Sequence, residues 1–207
     1  MKDIATRFGP ATTVIMGDVY VKNNIVRIFI FLTSYGWPSD VSSYVSGIGY
    51  SLNTLYNGSC TSIENSMPSK AVFIWSGHGA AGEMRTTDNN FFNIYAQNST
   101  YNLAHDLWSG SLSNEIVWFQ GCSEANTDPS YGNFFSTALS KSTSGTRFLG
   151  VNEDYGWSTG KQWNFLTWQY AYNQQTSIIN TIWQAANDAG TGSIYPFNST
   201  NVVEYSN

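Results

Sequence analysis

The sequence predicts an α/β fold: one domain over residues 1–207, with a mostly parallel central sheet and helices on both faces. Three observations carry this expectation. Four short runs, near residues 25–32, 71–75, 115–119 and 146–151, are nearly continuously apolar rather than alternating, as strands covered on both faces require. Helical patterns separate them, which is the signature of βαβ units. No internal repeat or linker divides the chain, and 207 residues suffice for one core without disulfides or metals.

In chain order, the first buried strand is Ile25-Val26-Arg27-Ile28-Phe29-Ile30-Phe31-Leu32. Gly36-Trp37-Pro38-Ser39-Asp40 opens a helix with Pro in its first turn. Its apolar stripe is Val41, Tyr44, Val45, Ile48, Leu52 and Leu55, and Asn57-Gly58 is expected to end it. The second strand, Ala71-Val72-Phe73-Ile74-Trp75, runs into Ser76-Gly77-His78-Gly79. Asp88-Asn89-Asn90 then reads as a hairpin turn between Met84-Arg85-Thr86 and Phe91-Phe92.

A short helix is expected around Leu103 to Trp108, before the third strand, Glu115-Ile116-Val117-Trp118-Phe119, which runs into Gln120-Gly121-Cys122. Phe134, Phe135, Ala138 and Leu139 mark another helix, and Thr146 to Val151 the fourth strand, ending in Asn152-Glu153-Asp154. Two helices close the pattern. One covers about Lys161 to Asn173; the other is expected to be capped by Thr176, to carry Ile178, Ile179, Ile182 and Ala186 on one face, and to stop before Gly190. The first 20 residues and the last 15 are expected to add edge strands.

Composition excludes several functions. Net charge is −5 and the isoelectric point about 4.8, whereas nucleic-acid binding needs a basic face that releases counterions. No apolar run approaches the roughly 18 residues of a membrane span. Charged residues make up 11%, against roughly 25% in ordinary soluble domains; Asn, Ser, Thr, Gly and aromatics replace them. That surface, together with sequons at Asn57, Asn98 and Asn198, leans toward a secreted or cell-surface protein. Met1-Lys2-Asp3-Ile4 is not followed by a leader's apolar stretch, so export would make this a mature or trimmed form.

The chemistry sits at two strand ends. The chain has two His and two Cys, and one of each, His78 and Cys122, follows a buried strand on a glycine-flanked turn. In open α/β sheets ligands bind beyond the carboxyl ends of the strands. A thiol beside a base is a nucleophile, and the backbone N–H groups of Gly79 and Cys122 are candidate oxyanion donors.

These two blocks, Ser76-Gly77-His78-Gly79 and Gln120-Gly121-Cys122, resemble the His-Gly and Cys blocks of the caspase-like (clan CD) cysteine peptidases: caspases, metacaspases, legumains, gingipains and clostripain. The resemblance covers Ile25 to Gly190 in element order and only the two blocks in residue detail. It implies a caspase-like fold and a hydrolase acting on a protein or peptide substrate, with Cys122 as nucleophile, His78 as acid and base, and Gly79 N–H in the oxyanion hole. It places Gln120 in the S1 pocket, and the end of the fourth strand beside it, where Glu153 and Asp154 either favour a basic P1 residue or are two solvated loop carboxylates. Ser123-Glu124 replaces the Arg/Gln-Gly of the caspases, and Arg27 and Arg147 make no basic set for an aspartate pocket.

Other readings stand beside this one. Buried cysteine is commonly a small hydrophobe, and a Cys60–Cys122 disulfide would abolish the nucleophile. His105 is expected to be structural. Cys60, His78, His105 and Cys122, separated by 18, 27 and 17 positions, lack the short pairings of a zinc site, so no metal or cofactor is expected; the resemblance leaves calcium open at the Asp88 and Asp128 loops. Trp37, Trp108, Trp157 and Trp163 could form a sugar platform, giving the alternative of a non-catalytic caspase-like surface module that binds carbohydrate or protein. The sequence sets no oligomeric state.

Overall fold

A computed structural model describes residues 12–21, 24–33, 37–50, 52–56, 72–77, 79–81, 83–85, 91–93, 116–127, 133–139, 142, 145–193 and 195–206. The strands are β1 (Thr12–Val21), β2 (Asn24–Thr33), β3 (Asn53–Tyr56), β4 (Val72–Ser76), β5 (Gly79–Ala80), β6 (Glu83–Arg85), β7 (Phe91–Asn93), β8 (Ile116–Gln120), β9 (Arg147–Val151) and β10 (Val202–Ser206). The helices are α1 (Trp37–Gly47), α2 (Phe134–Leu139), α3 (Trp157–Gln174) and α4 (Ile182–Gly190).

The main sheet has the order β10-β9-β8-β4-β2-β1-β3. Its four central strands run parallel, β2 to β4, β4 to β8 and β8 to β9. The flanks are antiparallel, so the sheet is mixed. Sequence dictates part of this: only Lys22 and Asn23 separate β1 from β2, too few for a crossover, so that pair must form a hairpin. β1 lies inside the sheet and β3 takes the edge, whereas β10 forms the edge expected of the C-terminal segment. β5, β6 and β7 form a small antiparallel sheet, with Glu83–Arg85 opposite Phe91–Asn93 as the hairpin expectation requires; its Asp88-Asn89-Asn90 turn lies outside the described residues.

The pleat divides the apolar strands between two layers. Val72, Ile74, Ile116, Trp118, Leu149 and Val151 face a core filled by Val41 and Val45 of α1, Trp163 and Trp168 of α3, and Ile182 and Ala186 of α4. Trp118 and Trp163 meet edge to face at 4.7 Å. On the opposite face Phe73, Phe119 and Phe148 form a chain of ring contacts with Phe135 of α2, which stacks on Tyr205 of β10. Each such buried ring contributes about 1.5–3 kcal/mol. Helices thus cover both faces. No described helix is long and apolar enough to cross a membrane.

Three elements depart from the sequence expectation. α1 stops at Gly47, not near Leu55, which belongs to β3. Gly49 adopts φ +88°, and the bonds Gly49 N–H to Ser46 O and Tyr50 N–H to Val45 O close the helix; Ile48, Tyr50 and Leu52 still pack on the core from outside it. α3 begins at Trp157, four residues earlier than expected. The last helix is broken: Ile178–Asn180 is a 3-10 turn, and α4 starts after Thr181, whose hydroxyl is placed to donate to Thr167 O or Ile178 O (3.0 and 2.9 Å). Thr176 caps neither piece, and Gly190 is the last residue of α4 rather than beyond it. The short helix expected near Leu103 lies outside the described residues.

Candidate functional site

β4 and β8 pair in parallel register from Val72 with Ile116 to Ser76 with Gln120. Two strands that start level and have equal length end on one rim. Gly77 and Gly121 both begin turns there, joined by a hydrogen bond from Gly77 N–H to Gln120 O at 3.3 Å. The chain comes back at Gly79, where a Cβ would lie 2.9 Å from Cys122 O, 3.1 Å from Cys122 N and 3.2 Å from Gly121 Cα. Only glycine lets the two turns approach so closely. His78 lies outside the described residues, between these two described glycines.

Cys122 is half-buried and carries a thiol rather than half of a disulfide. Its S–H points to Tyr155 O at 3.8 Å. Ser123 follows with φ +57°, a left-handed conformation that costs a residue with a side chain about 1–2 kcal/mol. The turn is held against the chain leaving β9: Ser123 N–H donates to Glu153 O, Ala125 N–H to Val151 O and Asn126 Nδ2 to Asn152 O, at 2.9–3.2 Å. A strained residue of this kind persists only where the surrounding bonds over-determine it.

Glu124, on this turn, is 1% exposed. Its Oε1 accepts the Val151 N–H at 3.1 Å, and its Oε2 lies against Gly121. Burial holds its pKa well above the ordinary carboxylate value, with Asp154 pushing the same way and the N–H groups of Glu124, Gly121 and Val151 opposing. Tyr155 is likewise raised, first by burial and then by Glu124 and Cys122. Its ring stacks on Phe197 at 4.9 Å and meets Trp163 edge to face.

Two recesses adjoin the turn. A slot of about 10 Å³ is lined by Gln120, Cys122, Tyr155, Trp157 and Gly160, among others, and is the size of one water. Gln120 lines it at 2% exposure; Oε1 accepts from Asn164 Nδ2 of α3 at 3.2 Å, while Nε2 has no acceptor among the described residues. The second recess, about 340 Å³, is lined by Glu153, Asp154, Tyr195, Pro196, Asn198 and Asn201. Asp154 is tethered by Ser123 Oγ at 2.8 Å, and Tyr195 is 49% exposed.

The structure therefore gathers Gly79, Cys122, Gln120, Glu153 and Asp154 at one rim. Arg147 starts β9, at its other end, and pairs with Glu204 at 3.2 Å. Neither recess is lined by a cation among the described residues. No group of three His, Cys, Asp or Glu among the described residues is arranged to hold a metal. Trp163 is corrected: it is fully buried and donates its indole N–H to Ile182 O at 2.8 Å, so it cannot serve as a sugar platform. Trp157 is half-buried in the slot, the side chain of Trp37 is outside what is described, and Trp108, Cys60, His105, Asp88 and Asp128 lie outside the described residues.

Sequence reasoning missed Glu124, Tyr155 and Tyr195. For Glu124 a weak signal existed, a single acid in an otherwise apolar and small stretch at Gly121 to Ala125; nothing in the sequence marks the two tyrosines among 13. Comparison with family models, curated proteins and solved structures finds no match.

Proposed function

We propose that the chain is a caspase-like cysteine endopeptidase. One observation carries the reading: parallel strands β4 and β8 end level, with Gly79 pressed on the Cys122 backbone, so the segment bearing His78 and the one bearing Cys122 leave the sheet together. The Cys122 sulfur attacks the scissile carbonyl carbon and the carbonyl electron pair moves to oxygen. The N–H groups of Gly79 and Cys122 receive that oxyanion. His78, having taken the thiol proton, gives it to the leaving amine as the C–N bond breaks. Water, deprotonated by His78, then releases the acyl group from sulfur.

The 340 Å³ recess beside the turn, with Glu153 and Asp154 on its wall, supports a basic P1 side chain. Peptide substrates ending in Arg, Lys, Asp or Asn before a fluorogenic amide test both parts. Cleavage after Arg or Lys, with labelling of Cys122 by a matching chloromethyl ketone lost in His78→Ala, is the expected outcome. Cleavage only after Asp or Asn removes the basic P1.

A second reading has its own support. Tyr195 stands half exposed beside the carboxylates of Glu153 and Asp154 and the amides of Asn198 and Asn201, a combination suited to stacking and hydrogen-bonding a sugar ring. Absence of any peptidase activity, with saturable carbohydrate binding abolished by Tyr195→Ala, selects this surface-module reading.

A further inference from the structure

We propose that Glu124 is a positioning residue for the nucleophile, its carboxyl clamping the turn that carries Cys122 onto the end of β9. The inference rests on the peptidase reading only in naming Cys122 as nucleophile. Within the mechanism Glu124 has no part: it lies two residues from the sulfur, lines neither recess and is 1% exposed. A buried carboxyl group with no chemical duty is expensive unless it organises something.

What it organises is visible in the backbone. The Val151 N–H, which closes β9, has Glu124 Oε1 as its partner at 3.1 Å. The same turn also donates two backbone bonds to the end of β9 and its extension, from Ala125 N–H to Val151 O and from Ser123 N–H to Glu153 O. The carboxyl thus adds a side-chain rung at the Val151 N–H, next to these two backbone rungs. Its other oxygen lies 3.1 Å from where a Cβ of Gly121 would be, on the residue that immediately precedes Cys122, with Trp75 at 3.0 Å and Gly79 Cα at 3.1 Å from the same point. Glu124 therefore touches both the strand that anchors the turn and the residue that aims the sulfur.

Among the described residues the titratable groups acting with it are Asp154 and Tyr155, both acidic. What the clamp asks of the side chain is an acceptor for the Val151 N–H, which an amide of the same shape also offers.

The test compares Glu124→Gln with Glu124→Ala, reading the iodoacetamide alkylation rate of Cys122 by mass spectrometry, peptide kcat and KM, and folding by circular dichroism. Gln is expected to keep alkylation and kcat within about threefold of wild type. Ala, folded, is expected to lose about tenfold or more in both, with KM unchanged, because the turn is misaimed while the recess is intact. A folded Ala variant with wild-type alkylation and kcat overturns the proposal. If Ala does not fold, Gln decides: a folded Gln variant at least about tenfold slower in alkylation overturns it as well. A wild-type protein that hydrolyses no peptide yet shows the Gln/Ala alkylation contrast upholds the clamp and removes the peptidase reading.

Discussion

Replacing Gly79 by Ala is the sharpest probe of how the two turns meet. The new Cβ would sit 2.9 Å from Cys122 O, where ordinary contact begins at 3.4 Å, a shortfall of 0.5 Å (3.4 minus 2.9). All three nearest atoms are backbone, so no side chain can rotate away. The Cys122 turn cannot slide freely either, being tied to β9 through Ser123 and Ala125. Overpacking of this kind costs about 1–3 kcal/mol, and in a chain of this size each kcal/mol lowers Tm by about 2–4 °C. A misplacement of 1 Å costs about 100-fold in rate, so half of that costs about tenfold. The assays are thermal unfolding, Cys122 alkylation and peptide turnover, with Gly145→Ala as control. Gly145 has φ +93°, open space around it and a place at the opposite end of β9, so its alanine variant loses stability while leaving Cys122 chemistry unchanged. A Gly79→Ala protein with unaltered Tm and with alkylation within twofold of wild type would show that the turns do not press on one another.

Other outcomes follow from the same geometry. Because the Glu124 pKa is raised in the folded state, the unfolded chain releases this proton first, so its contribution to stability falls as pH rises above about 4.3, by about 1.4 kcal/mol per unit, until the folded pKa is reached. Urea unfolding at several pH values should show Glu124→Gln gaining on wild type as pH rises; a constant difference contradicts the buried acid. On the proposed peptidase reading, Asp154→Asn with Glu153→Gln should raise KM for Arg and Lys peptides about tenfold or more, with little change for neutral P1, in steady-state kinetics. Ser123→Gly relieves the left-handed strain but frees Asp154, so chemical denaturation should report a gain of about 1 kcal/mol or less, alongside weaker basic selectivity.

The strands were legible because a covered parallel strand has one signature, a short and nearly unbroken apolar run, and β4, β8 and β9 each have it. α1 was overextended because Leu52 and Leu55 continue its helical spacing, although two glycines at 47 and 49 end it locally. The break at Thr181 was hidden for a related reason: Ile178, Ile179 and Ile182 fit a helix stripe whether or not a 3-10 turn lies between them.

The candidate site divides along the same line. Residue type and strand-end position alone named Cys122 and His78, because with two Cys and two His in the chain, a thiol and an imidazole after apolar runs are few and conspicuous. Sequence also gave the acids at Glu153 and Asp154, being local to one strand end. Only the tertiary structure set the level register of Ser76 with Gln120, laid Gly79 on the Cys122 backbone and put Trp163 in the core. It also took Glu124 out of water. Register and burial arise between segments far apart in the chain, from the pleat, the packing of α3 and the hydrogen bonds of β9, and no local pattern of residues encodes them.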